Sequence, residues 1–384
     1  MFQSDFLTRT MLIERLTGVF VYFSISILSY NSIKKSNSIK QFSSTLRICM
    51  ILLVILAFLY IPSTDADLYR WRIISDSWRE IPLKTFFNNH LINNSTPIAY
   101  LIMYLCVQFN IKGMLPAICA AAFYHNSFSI LKDLQAKEMK GKYQDNTSLA
   151  FFVFMSSGAF LEVISGVRCF VAFSFIAKEF YYEIYNERKI VRSIPVYIFA
   201  SLIHNAVIPI ICIRFLYFLF QKTNSTKRKI LNACVIVAFI VFVYRYGSNF
   251  IDAAFIKADN YISGDTYSYT WEYLIGGIQW LLFAYIIYYC QKTQEASIEL
   301  LNIIKINKWF LLIEALFIFE YNIFHRMILL SSFLIIPIVS FLQSSKEKNQ
   351  RAISIVFLTV SLVMLIACAR GNLCGYKFFL LSNN

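Results

Sequence analysis

Charge is scarce in this 384-residue chain: Asp, Glu, Lys and Arg make up only 15% of it, against about 25% in soluble globular domains. The short motifs of nucleotide and metal chemistry are missing as well. The sequence contains no glycine-rich phosphate loop, GxGxxG fingerprint, HExxH, CxxC or paired-aspartate signature, so it offers no nucleotide site and no metal centre. It also has no internal repeat, low-complexity tract or soluble domain. Alternating strands of the outer-membrane barrel type are absent. The nine cysteines are scattered, most of them inside apolar blocks, as with Cys49, Cys119, Cys212 and Cys234. They read as small core side chains, not as a disulfide framework.

What is present is apolar. Residues of the AVILMFWYC set make up 58% of the chain, and they fall in blocks: 16–30, 46–61, 97–131, 149–165, 168–185, 194–220, 230–246, 273–290, 309–325, 326–343 and 352–369. A bilayer crossing needs about 20 mostly apolar residues, and only a helix satisfies its own backbone in lipid. The expected fold is therefore all-α: a polytopic transmembrane helical bundle of 10–12 membrane segments forming one integral membrane domain over 1–384. Asp5, Arg9, Glu14 and Arg15 precede the first block and no small-x-small site follows it, so the first span is expected to stay in the mature protein.

The net charge is +14. On a soluble protein this would suggest nucleic acid. Here the positive-inside bias accounts for it, and no nucleic-acid partner is expected. The basic segments 31–47, 186–193, 221–229 and 344–351 are assigned to the cytoplasm, and the loops 62–96 and 247–272 to the outer face. One conflict follows. Two cytoplasmic segments, 186–193 and 221–229, are joined by a single apolar block. Either 194–220 is a re-entrant hairpin around His204-Asn205, or one basic loop is on the other side. Residues 132–149 raise a similar question, since their lysines suit the cytoplasm only if 97–131 crosses once.

Charged residues where lipid should be are the informative ones, because an Arg or Asp at a helix centre costs about 2.5–3.5 kcal/mol. Four groups stand out. Asp65-Ala66-Asp67-Leu68-Tyr69-Arg70-Trp71-Arg72 follows the block that ends at Ile61. Its carboxylates suit a general base and its guanidiniums suit phosphate, or all four pair as a solvated rim. Arg168 follows Ser165-Gly166, which suggests a helix break. It suits an anion at the outer face, or a salt bridge to Glu162. His204-Asn205 lies deep in its block, either as a satisfied core pair or at a cavity. His325-Arg326 sits at the midpoint of 309–343, so two helices of about 17 residues each would put it at the outer turn. The alternative there is an arginine snorkelling to the headgroups. Arg214 and Arg245 read as end-of-helix anchors.

The order of these elements resembles a known family. Thr64-Asp65-Ala66-Asp67-Leu68-Tyr69 is followed by Gly166-Val167-Arg168 and a basic Asn186-Glu187-Arg188-Lys189 turn. Next come Phe199-Ala200-Ser201-Leu202-Ile203-His204-Asn205 and then Arg326, heading a span that contains Pro337. The pattern is similar to that of the EpsG-like and Wzy-type polysaccharide (O-antigen) polymerases, and it covers roughly residues 50–345. One departure is Cys169, where the family's middle arginine is commonly followed by glutamine. The resemblance implies a GT-C-like bundle in the bacterial inner membrane, an inverting glycosyltransferase working at the periplasmic face on undecaprenyl-pyrophosphate-linked repeat units. It also implies no cofactor, with membrane lipid and a chain-length regulator protein as companions. On that reading Asp65 or Asp67 is the base, and Arg70, Arg168, His204, His325 and Arg326 hold the pyrophosphate. Other readings of the same residues are a lipid-linked oligosaccharide flippase, an O-antigen ligase and a membrane O-acyltransferase.

Overall fold

The computed structural model describes residues 20–62, 64, 66–92, 94–138, 147–156, 159–221, 230, 270–292, 298–318, 321–344, 346–373 and 377–378. Asp65, Arg245, the N-terminal charges, and the outer loop 247–272 up to residue 269 lie outside the described residues. The architecture is all-α. After a helix over 20–34 (α1) come α2 (Ile39–Phe58), α3 (Asp67–Asp76) and α4 (Leu83–Phe86), the last running into a π-helical turn, Phe87–Leu91. Then follow α5 (Pro97–Gln108), α6 (Met114–Glu138), α7 (Ser148–Ser156), α8 (Ala159–Gly166), α9 (Cys169–Ile184), α10 (Ile194–Ile203) and α11 (Val207–Gln221). The C-terminal part holds α12 (Thr270–Lys292), α13 (Ile298–Leu316), α14 (Tyr321–Leu334), α15 (Ile336–Ser344) and α16 (Lys346–Leu373). A two-residue ladder pairs β1 (Tyr60–Ile61) antiparallel with β2 (Lys377–Phe378), tying the chain's end to the end of α2.

Four of these helices are long and apolar enough to cross a membrane alone, and α14 with α15, bent by 43°, passes the same test as a pair, either as a broken span or as a re-entrant loop. α6 is central: 67% of its apolar stretch is buried inside the protein, against 33% for α2 and for α16, which turn the rest outward. Phe123 of α6, Phe154 of α7 and Phe333 of α14 interlock at the centre, with ring centroids 5.1 to 5.9 Å apart. On α2 the outward row is Ile48, Ile51 and Ile55, the side expected to meet acyl chains.

Several apolar blocks that look continuous in sequence are broken in space. Residues 97–131 divide at Phe109–Gly113 into α5, too short to cross, and α6, which crosses. That single crossing is the condition under which the lysines of 132–149 sit on the cytoplasmic side. The break is held by close packing. A Cβ on Gly113 would lie 2.1 Å from the Phe58 carbonyl oxygen, so only glycine lets the start of α6 approach the end of α2. Arg72 Nη2 on α3 donates to the Lys112 carbonyl at 2.7 Å and closes the same loop.

The block 194–220 is a hairpin. Tyr197 and Phe215 are 18 positions apart (215 − 197), which a straight helix would spread over about 27 Å, yet their rings lie 6.4 Å apart. Both arms also reach one carboxylate. Tyr197 Oη donates to Glu183 Oε1 at 2.6 Å and Arg214 Nε lies 2.9 Å from Glu183 Oε2. Arg214 is therefore no end-of-helix anchor. It is 4% exposed and locks the returning arm to α9. The contacts Phe180–Tyr197 and Phe175–Phe199 run α10 antiparallel to α9.

Candidate active site at one end of the bundle

Four chain segments converge where α2 ends. The first is α3, whose opening residue Asp67 accepts a hydrogen bond from Arg70 one turn on, both side chains largely exposed. An acid in the first turn suits the positive end of the helix dipole. The second is the α8–α9 junction. Gly166 ends α8, Val167 takes a left-handed φ of 29°, and Arg168 caps α9. The sharp reversal turns Arg168 away from α9 and onto α3, its guanidinium carbon 3.9 Å from the centre of the Trp71 ring. Such stacking contributes about 0.5–2 kcal/mol and fixes where the charge sits.

The third segment is the start of α14. His325 Nε2 lies 3.2 Å from Glu162 Oε1, which joins α14 to α8. Arg326 follows at once. The electrostatic surroundings of the Cys169 thiol tie the segments together: Arg326, Arg168, Asp67 and Glu162 all act on it. Cys169 itself is buried. The fourth is Tyr60 of β1. Burial pushes its phenol above the usual range, Glu162 adds to the rise and Arg72 opposes it.

The structure thus brings Asp67, Arg70, Arg168, His325 and Arg326 to one place from three distant parts of the sequence. It places His204 differently, at the hairpin tip. There the His204 Nδ1 accepts from Ala206 N at 3.1 Å, which leaves Nε2 as the donor of a neutral ring. Asn205 Nδ2 donates to Ser95 Oγ at 2.9 Å, so the tip is met by the segment that leads into α5. Two members were not singled out from sequence. Trp71 is the platform for Arg168, and Glu162 is the carboxylate beside His325, where sequence had offered it as a partner for Arg168. The adjacency of Trp71 to Arg70 was the available signal for the first. The second needed the α8–α14 contact.

A site of this kind presents three cations, Arg70 on the Asp67 carboxylate, Arg168 on Trp71 and Arg326 beside His325, at one end of the bundle. It suits a phosphorylated amphiphile. A model of the EpsG family matches residues 48–379. The chain belongs to the EpsG family. These are Wzy-like, polymerase-type membrane proteins, and the match takes in every element of the cluster. No curated protein and no solved structure matches the chain. Membership of the EpsG family accords with the order of the segments: an acidic stretch after an early span, an arginine opening a middle helix, and a second arginine in a late one, where it sits in the second turn of α14 and not at the turn expected from the sequence.

Proposed function

We propose that the protein is a polysaccharide polymerase of the inner membrane, an inverting glycosyltransferase with a GT-C-like bundle and a catalytic end that faces the periplasm. The observation that carries this reading is the gathering of charge from three chain segments: Arg168 stacks on Trp71, one turn after Asp67, and His325, next to Arg326, meets Glu162 at 3.2 Å. Family membership supports it. The donor is a glycan on undecaprenyl pyrophosphate and the acceptor is the terminal sugar hydroxyl of a new lipid-linked repeat unit.

In the reaction the acceptor oxygen attacks the donor's anomeric carbon and forms the new C–O bond. The bond from that carbon to the pyrophosphate oxygen breaks, its electron pair leaving with the pyrophosphate. The hydroxyl proton goes to a carboxylate of the Asp65/Asp67 pair, the general base. Arg168 and Arg326, with Arg70 and His325, stabilise the charge that builds on the leaving group. Trp71 keeps the Arg168 guanidinium aimed at it. Two arginines can supply this stabilisation without a metal ion.

The test is complementation of a strain that lacks the gene, with the surface polysaccharide resolved on a gel. Wild type restores a ladder, while Arg168→Ala and Arg326→Ala leave a single repeat unit. A full ladder in the null strain would overturn the polymerase reading. Loss of even the single unit would favour a flippase or ligase.

A further inference from the structure

Beyond the cluster, on the other side of α3, lies a second cationic pocket of about 50 Å³. Arg72 of α3, Arg79 from the turn that follows it and Lys112 from the α5–α6 loop line it, with Asp76 as the one acid. Asp76 is already engaged by Arg79 at 3.0 Å. Arg72 spends one nitrogen on the Lys112 carbonyl, but its Nε is buried without a hydrogen-bond partner among the described residues. A buried guanidinium nitrogen left unpaired is costly, and an anion is what completes it. Ser75 and Asn110 add polar groups, and the rest of the wall is apolar: Met103, Cys106 and Val107 of α5, Ile111, and Leu115 of α6. Ile111 of that wall is exposed, as are Leu105 and Phe109 close by in the chain.

Cations at the mouth and an apolar flank toward the lipid describe a site for a phosphate carried on a hydrocarbon chain. The volume suits a phosphoryl group and not a sugar, since a single water needs about 10–15 Å³ by the same measure. We propose that this pocket holds the pyrophosphate of the second lipid-linked substrate, the acceptor, while Arg168 and Arg326 hold that of the donor. The inference rests on the polymerase reading, in which both substrates carry a pyrophosphate and a polyprenyl chain. α3 then separates two anion sites. The acceptor's head sits on its Arg72 side, and its sugar reaches round to Asp67.

The experiment uses the purified full-length protein in nanodiscs of neutral lipid, with farnesyl pyrophosphate as the probe and its binding stoichiometry as the readout. Wild type takes up two equivalents. Lys112→Gln, which leaves the backbone carbonyl for Arg72 in place, and Arg72→Gln each weaken one equivalent by about tenfold, the effect of one charge-assisted bond. Arg168→Ala weakens the other. A single equivalent, lost in Arg168→Ala and untouched in Lys112→Gln and Arg72→Gln, overturns the second site and leaves the polymerase reading standing. No binding at all overturns both. Phosphatidylglycerol in the nanodisc is the competing arm. If it displaces the Lys112-dependent equivalent as well as farnesyl pyrophosphate does, the pocket is a seat for bulk phospholipid and the acceptor assignment falls.

Discussion

Arg168 lies over Trp71, its guanidinium carbon 3.9 Å from the ring centre. The indole holds the charge of one helix cap against an interfacial helix a hundred positions earlier in the chain. A planar guanidinium stacks where an ammonium does not, so Arg168→Lys should keep the positive charge but lose the placement. The expected result is a drop in polymerisation of about tenfold or more for Arg168→Lys, the same direction for Trp71→Ala, and near-normal activity for Trp71→Phe. Measured as incorporation of labelled repeat units by membranes, equal rates for Trp71→Ala and wild type would remove the indole from the mechanism.

The hairpin makes a geometric prediction. With Tyr197 and Phe215 rings 6.4 Å apart, cysteines at the two positions should be joined within one molecule by a short bis-maleimide cross-linker. In a straight helix they would stand about 27 Å apart and beyond its reach. Mass spectrometry of the digested protein reads the linked peptide directly, and its absence from labelled, folded protein would mean the block crosses once.

Much of this was legible in the residues, and what was not has a physical reason. Arg168, Arg326 and the Asp67 segment stood out because charge beside long apolar runs is costly and therefore rare. The helix break before Arg168 was legible in Ser165-Gly166. The fate of Arg214 was not. An arginine near the end of an apolar block looks the same whether it snorkels or pairs, and only the return of α11 beside α9 puts Glu183 at 2.9 Å. Counting apolar blocks as crossings misleads for the same reason. Hydropathy records that 97–131 and 194–220 are apolar, but the breaks at Gly113 and His204 depend on contacts with Phe58 and Ser95.

The Glu183–Arg214 pair should behave as a buried ion pair. Both side chains are at most 5% exposed, so removing one partner leaves the other charged and dry, at a cost of about 3–5 kcal/mol. Arg214→Met and Glu183→Gln are each expected to lower the detergent-solubilised protein's melting temperature by several degrees. The double variant Glu183→Gln/Arg214→Met should recover much of that loss, since no charge is then stranded. A double variant as unstable as the sum of the singles would show that the two residues do not interact.

Asp67 carries the sharpest chemical prediction. Its carboxylate opens α3, accepts from Arg70 and belongs, with Arg168 and Arg326, to the charges that act on Cys169. A general base contributes about 10²–10⁴ in rate. Asp67→Asn keeps the size, the hydrogen-bond acceptor for Arg70 and the helix start, but it cannot take a proton. If Asp67 is the base, Asp67→Asn should lower the rate of polymerisation by that factor with little change in the concentration of lipid-linked donor needed for half-maximal rate. Asp67→Glu should restore part of it. If Asp67 instead only orients Arg70, Asp67→Asn should raise the donor requirement and leave the maximal rate near wild type. In that case the base role passes to Asp65, and Asp65→Asn would show the loss in rate.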